Sequence, residues 1–232
     1  MLFRSHDPQN KECESFEKFN PGINQPSTCS KETKEWCDKC TPKNGGDIIF
    51  HSGWKKMVDG KVQGLIGHLN SGTTIPASKI YHDAGIPQIS PAATNPKYTQ
   101  QGYQNAFRVV ANDAQLGSVM GRYAAQTLKL KNVAVVDDRS AYGQGLADEF
   151  LKSAKANGIN IVSRQFTNDK ATDFSAILTA IKAKQPDAIF FGGIDAVGGP
   201  MLRQMKQLGI SAKFMGGDGV CSEQRSEEHT SE

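Results

Sequence analysis

The sequence predicts an α/β protein built on doubly wound parallel sheets. Three observations carry that prediction. Short runs rich in Val, Ile and Phe alternate with longer segments whose apolar residues follow a helical period. The breaks between them fall on Gly, Pro or capping residues. The alternation is regular, so each strand reaches the next across a helix, which gives parallel pairing and right-handed crossovers.

The organised part begins at Val62. Val62–Ile66 reads as a buried strand, and Thr74–Ala84 as a helix ended by Gly85. Ile75, Ile80 and Tyr81 give that helix its apolar side. Pro87–Ile89 is the next strand and Ala106–Val110 a further extended run. A second series follows. Asp113 is placed to cap a helix over Ala114–Leu128, and Val133–Val136 is a strand. Tyr142–Asn157 is a helix closed by Gly158, and Ile159–Phe166 a strand. Asp173 caps Phe174–Lys184, which Pro186 stops. Ala188–Phe191, a helix over Gly199–Leu208 ended by Gly209, and Lys213–Met215 complete the series.

Open parallel sheets receive ligands at the carboxyl ends of their strands. Asn70–Thr73, Ser90–Thr94, Arg139–Tyr142, Gly192–Asp195 and Gly216–Gly219 all fall there. In Gly67-His68-Leu69-Asn70-Ser71-Gly72-Thr73-Thr74 a strand gives way to small hydroxylated residues that open a helix. Backbone N–H groups and the positive end of the helix dipole then point at one place, which suits a carboxylate or phosphate. Ile89-Ser90-Pro91-Ala92-Ala93-Thr94-Asn95-Pro96 ends a neighbouring strand in the same way. Ser71 is the first candidate for holding an anion, and Thr94 with the backbone at Ala92 and Ala93 the second. Read more plainly, Ser71 caps a helix and Thr94 closes a turn. Asp218, among Gly216, Gly217 and Gly219, is the candidate counter-charge for a cation, or an ordinary acidic turn. Tyr142 heads a helix beside these loops.

Other chemistry is poorly supported. The formal net charge of +3 across 232 residues is too small to argue for nucleic acid or an anionic membrane. No run approaches the ~18 apolar residues of a membrane helix. No strand is followed by Gly-x-Gly-x-x-Gly, so a dinucleotide enzyme lacks its fingerprint. His68 and His82 have no nucleophile or second ligand at the right spacing and read as structural. Asp137-Asp138 could pair on a metal, with no P-loop nearby. No metal or cofactor is expected.

Four motifs together resemble the leucine/isoleucine/valine-binding proteins, the periplasmic receptors of bacterial branched-chain amino-acid ABC importers. They are Gly67–Ser78, Ile89–Pro96, Ala141-Tyr142-Gly143-Gln144-Gly145-Leu146 and Phe214–Val220, in the family's order and spacing. The likeness runs from about Lys56 to about Glu223. It implies a two-lobed type I periplasmic-binding-protein fold, each lobe a doubly wound sheet with helices on both faces. Residues 56–112 would be part of lobe one and residues 113–224 most of lobe two, with a hinge near Ala111–Asp113.

The resemblance further implies that Ser71, Ala92 and Thr94 hold the α-carboxylate of an amino acid and part of its ammonium, with Ala93 also at the binding site, and that Asp218 pairs with the ammonium. Tyr142 would contribute from lobe two. The implied function is capture of an aliphatic L-amino acid between two lobes and delivery to a membrane permease, without catalysis, by a periplasmic monomer. A sensory domain of the same fold is the alternative, and a nucleotide-dependent enzyme a weaker one. Two positions depart from the pattern. Ile194 stands where some members have an aromatic residue, and Asn70 where some have a bridged cysteine. Cys221 is expected to be buried or paired.

The ends read differently. Met1–Ser5 can be encoded as ATG CTC TTC CGA TCT, whose reverse complement encodes Arg225–His229, as a sequencing adaptor on both ends of a DNA fragment would. Residues 1–5 and 225–232 are therefore set aside from fold reasoning, and the natural protein is expected to extend further at both ends. Residues 6–55 are polar, without a period, and carry Cys13, Cys29, Cys37 and Cys40. Cys37-x-x-Cys40 could be half of a zinc site, but no second close pair exists, and a disulfide-bearing or unstructured leader or misjoined DNA fits as well. Residues 1–55 remain unassigned.

Overall fold

The computed structural model of the chain describes residues 47–221. The four cysteines between positions 13 and 40 and both adaptor-like ends lie outside the described residues. Two compact units are present. Within the described residues, the first holds 47–93 and 97–109, and the second holds 94–96 and 110–221.

Unit one opens with helix α1 (Asp47–Asp59), where the sequence shows no period strong enough to predict one. Its Trp54, Met57 and Val58 lie three and four residues apart and pack with Leu65, Tyr81 and Ile86. Strand β1 is only Leu65–Ile66. Val62 is held back from the sheet because the chain turns at Gly60–Lys61, with Lys61 at φ +51°. Helix α2 (Ser71–Asp83) begins three residues earlier than its apolar spacing suggests, with extended Asn70 before it. Strand β2 (Gln88–Ser90), the short helix α3 (Lys97–Gln100) and strand β3 (Ala106–Arg108) follow. The sheet is parallel, in the order β1-β2-β3. Ile66, Ile89 and Phe107 stand in register across it, and all three are exposed (49%, 37% and 50%), so one face carries an uncovered apolar row.

Unit two holds a four-stranded parallel sheet, in the spatial order Asn160–Phe166, Asn132–Asp137, Ala188–Gly192, Lys213–Gly216. Helix α4 (Asp113–Arg122) runs on as a π-helical turn over Tyr123–Thr127. Its cap is Asn112, not Asp113. Asn112 is extended and forms a reciprocal capping box with Gln115, which makes Asp113 the first helical residue. Strand β4 (Asn132–Asp137) leads to helix α5 (Ala141–Ala156), capped by Ser140. Strand β5 (Asn160–Phe166) and helix α6 (Ser175–Lys182) come next. Asp173 accepts from the Ser175 amide at 2.9 Å, so the expected acidic start is present two residues before the helix, with Phe174 between. Strand β6 (Ala188–Gly192), helix α7 (Asp195–Gln207) and strand β7 (Lys213–Gly216) complete the unit. Helix α7 starts four residues before its expected start at Gly199, because it continues through Gly198, Gly199 and Pro200.

The alternation along β4 and β6 builds two cores. Val133, Val135, Ala188 and Phe190 face α5, where Leu146, Ala147, Phe150 and Ala154 are fully buried. Ala134, Val136, Ile189 and Phe191 face the other way, onto Leu178 and Ile181 of α6 and Val197, Met201 and Met205 of α7. A side chain buried this way contributes about 1.5–3 kcal/mol. Phe150 and Phe190 stack with ring centres 3.8 Å apart. Because β6 and α5 approach so closely, the first turn of α5 is delivered to the carboxyl ends of β4 and β6.

Candidate functional site

In unit one the chain leaves β1 through His68 and enters α2 at Ser71, which is buried. The Asn70 side chain makes no capping bond, and its carbonyl accepts from the Thr73 and Thr74 amides. The His68 carbonyl accepts from Thr74 Oγ1 (3.1 Å) and from Ser90 Oγ (2.8 Å). These bonds tie the loop carrying Ser71 to the loop after β2. Ser90 Oγ in turn accepts from the Ala93 amide at 2.9 Å and, weakly, from the Ala92 amide at 3.5 Å. The Ala93 N–H is thus engaged inside the protein, and the Ala92 N–H far less so.

The His68 ring is packed against Trp54 and Tyr81, with its Nε2 3.2 Å from the Tyr81 hydroxyl. Burial lowers this imidazole to about 4, so it is neutral at pH 7. His82 hydrogen-bonds Asn105 and stacks on Tyr103. Both histidines have structural partners.

In unit two, Thr94–Pro96 packs with residues that follow it by some twenty to fifty positions. The Thr94 carbonyl accepts from the Asp113 amide (2.9 Å), and Asn95 Nδ2 donates to the Ala141 carbonyl (2.6 Å). The Thr94 hydroxyl is buried and makes no hydrogen bond among the described residues. A buried hydroxyl left so costs about 1–3 kcal/mol.

Tyr142 and Asp218, 76 residues apart, come together. The Tyr142 hydroxyl donates to Asp218 Oδ1 at 2.8 Å and accepts from the Gly219 amide at 2.9 Å. Burial and then the Asp218 carboxylate push the Tyr142 phenol far above its ordinary value, so it keeps its proton. Asp218 is exposed on a single turn of 3₁₀-helix (Asp218–Val220). The glycines around it are there for close approach. A methyl on Gly217 would collide with Leu146 and lie 2.8 Å from the Tyr142 oxygen, and one on Gly219 would lie 2.7 Å from Tyr142 Cε1. The loop is moulded on the tyrosine. No local sequence signal announces this pairing. Ile194, half-buried, is the residue before α7.

Asp137 and Asp138 are engaged in the fold. Asp137 is paired with Arg164 and accepts from the Arg139 amide. Asp138 accepts from the Ser140 amide and hydroxyl at 2.9 and 2.6 Å, and Ser140 Oγ accepts from the Gly143 amide at 2.9 Å. Burial pushes the Asp138 carboxyl up, against those bonds, which pull it down. Among the described residues no three His, Cys, Asp or Glu side chains gather to hold a metal. No described helix is long and apolar enough to cross a membrane. Cys221, expected to be buried or paired, is exposed at the end of the 3₁₀ turn and has no disulfide partner among the described residues.

Parallel α/β units with polar loops at the strand carboxyl ends define a class of ligand-binding architecture shared by many proteins. Comparison narrows it. The model of a family described as periplasmic binding protein matches residues 50–224. The chain belongs to that family, and its fold is the two-lobed type I periplasmic-binding-protein fold with an incomplete first lobe. It is 41% identical over 185 residues to a Leu/Ile/Val-binding protein homolog of Brucella melitensis, covering 80% of this chain and 48% of that one. A leucine-binding protein of Thermotoga maritima has the same fold at a TM-score of 0.76, 28% identity, and coverage of 81% of this chain and 53% of that one. A branched-chain amino-acid transporter substrate-binding protein of Streptococcus pneumoniae, solved with isoleucine, matches at 0.70 and 29%, covering 82% and 54%. The chain spans about half the length of the curated relatives it matches.

Proposed function

We propose that this protein is the substrate-binding component of an ABC importer, and that it captures leucine, isoleucine, valine or a similar aliphatic L-amino acid. The observation that carries this reading is the presence in unit two of two groups that complement an amino acid. A buried hydroxyl without a partner, Thr94 Oγ1, accompanies an exposed carboxylate, Asp218, held by a tyrosine. An α-amino acid carries both complements, a carboxylate to accept from hydroxyl and amide N–H groups and an ammonium to donate to Asp218.

In this reading Ser71, Thr94 and the backbone at Ala92 and Ala93 are donors to the carboxylate, and the Ala92 N–H, which Ser90 engages only weakly, is the stronger of the two backbone donors. Ile194 offers an apolar wall to the side chain. Names of relatives that bind leucine and isoleucine support the same substrate class. The work is recognition and release to a membrane permease by hinged lobes. The reading assigns recognition and delivery, without a catalytic step. We take the intact protein to act in the periplasm as a monomer, a reading that its membership of a periplasmic binding protein family supports.

Calorimetry of the full-length gene product against a panel of L-amino acids and sugars tests the proposal. Leucine, isoleucine or valine should bind, and sugars should not. Binding of a sugar with no response to any amino acid would refute it.

A further inference from the structure

Tyr142 has a different task from the ligand contact that its position suggests. We infer that Tyr142 is a positioning residue, which acts on the ligand's ammonium only through Asp218. The inference rests on the reading of Asp218 given above.

The argument starts from the loop. Gly216, Gly217 and Gly219 give it three residues of wide conformational freedom, and an exposed carboxylate on such a loop would sample many directions. A ligand that had to select one of them would lose affinity for the ordering. Tyr142 removes that freedom beforehand by gripping the loop twice, at the Asp218 carboxylate and at the Gly219 amide. The ring also occupies the space that side chains on Gly217 and Gly219 would need.

Tyr142 is itself firmly placed. It is the second residue of α5, whose first turn is fixed by a relay from the Gly143 amide to Ser140 Oγ and from Ser140 to buried Asp138. The phenol has one proton, and Asp218 Oδ1 accepts it. The hydroxyl therefore has no donor left for a ligand carboxylate. The bond uses Oδ1 and leaves Oδ2 to accept from an ammonium.

A double-mutant cycle on the full-length gene product tests the inference. L-leucine and 4-methylpentanoate, which is leucine without its amino group, are the probes. Asp218→Asn should weaken leucine roughly ten- to a hundredfold, and Tyr142→Phe roughly tenfold, each with little change for 4-methylpentanoate. In the Asp218→Asn background, Tyr142→Phe should change leucine affinity less than about twofold. Gly219→Ala, which displaces the ring without removing the hydroxyl, should reproduce the loss of preference for leucine should Tyr142→Phe fail to fold. Equal losses for both probes in Tyr142→Phe, or a Tyr142→Phe effect undiminished in the Asp218→Asn background, would overturn the positioning role and leave the Asp218 assignment standing. No effect of Asp218→Asn would overturn both.

Discussion

Gly143→Ala probes the contact that carries α5 to the carboxyl ends of the strands. A methyl there would collide with Asp138 Oδ1 and with the Gly192 carbonyl oxygen. Neither can yield cheaply. The Gly192 carbonyl accepts from the Asp138 amide at 3.0 Å at the end of β6, and the Asp138 side chain is buried beneath the Ser140 cap. The helix must move instead. Overpacking of this kind costs about 1–3 kcal/mol. Disturbing the bonds from Ser140 to a buried carboxylate adds about 1–3 kcal/mol. The better helix propensity of alanine returns about 1 kcal/mol. The net expectation is a loss of about 3 kcal/mol, read as a fall of roughly a hundredfold in the hydrogen-exchange protection of β4 and β6 amides. Gly158→Ala is the reference, since Gly158 has φ +81° and open space around it, and should cost only about 1 kcal/mol. A loss for Gly143→Ala no larger than that of the reference would refute the close-approach argument.

Four further outcomes are expected. Phe190→Ala, at a stacked and fully buried site, should destabilise unit two by about 3–5 kcal/mol in urea unfolding. Removing the cap of α4 with Asn112→Ala should cost about 1 kcal/mol in the same assay. His68 takes up its proton at about 4 in the folded chain and near its ordinary 6.5 when unfolded. The unfolded state therefore binds more protons between those values, and unit one should lose stability as pH falls through that window, by about 3 kcal/mol at its lower end. His68→Gln should flatten that slope in pH-dependent unfolding. Hydrogen exchange on the 232-residue chain should show stronger protection between Asp113 and Met215 than in unit one, whose buried cluster is small and whose sheet leaves Ile66, Ile89 and Phe107 uncovered. Comparable protection across residues 62–110 would contradict it.

The parts of the fold legible in the sequence are those with a local cause. Val133–Val136 and Ala188–Phe191 are short apolar runs between capping and breaking residues, and both are central strands. Gly158 and Gly209 end helices at φ +81° and +62°, as their positions after apolar-periodic segments suggest. Where a local signal misleads, tertiary packing overrules it. Gly199-Pro200 reads as the start of a helix, yet α7 begins four residues earlier and runs through it because Val197, Met201 and Met205 share one core. Helix α1 is masked by its polar surroundings, although the spacing of Trp54, Met57 and Val58 is visible once its partners are known. In the site, the strand-end positions of Ser71, Thr94, Tyr142 and Asp218 follow from alternation alone. The grip of Tyr142 on Asp218, the engagement of the Ala93 amide by Ser90 and the docking of Thr94–Pro96 on Asp113 and Ala141 join distant segments, and no local pattern encodes them.

The most direct test of the proposed function is a crystal structure of the full-length gene product with L-leucine bound. The account predicts the leucine ammonium within hydrogen-bond distance of Asp218, with Tyr142 still on Oδ1, and the carboxylate on Thr94 Oγ1 and the Ala92 N–H beside Ser71. A leucine bound with its ammonium away from Asp218, or with Thr94 Oγ1 still without a partner, would contradict it.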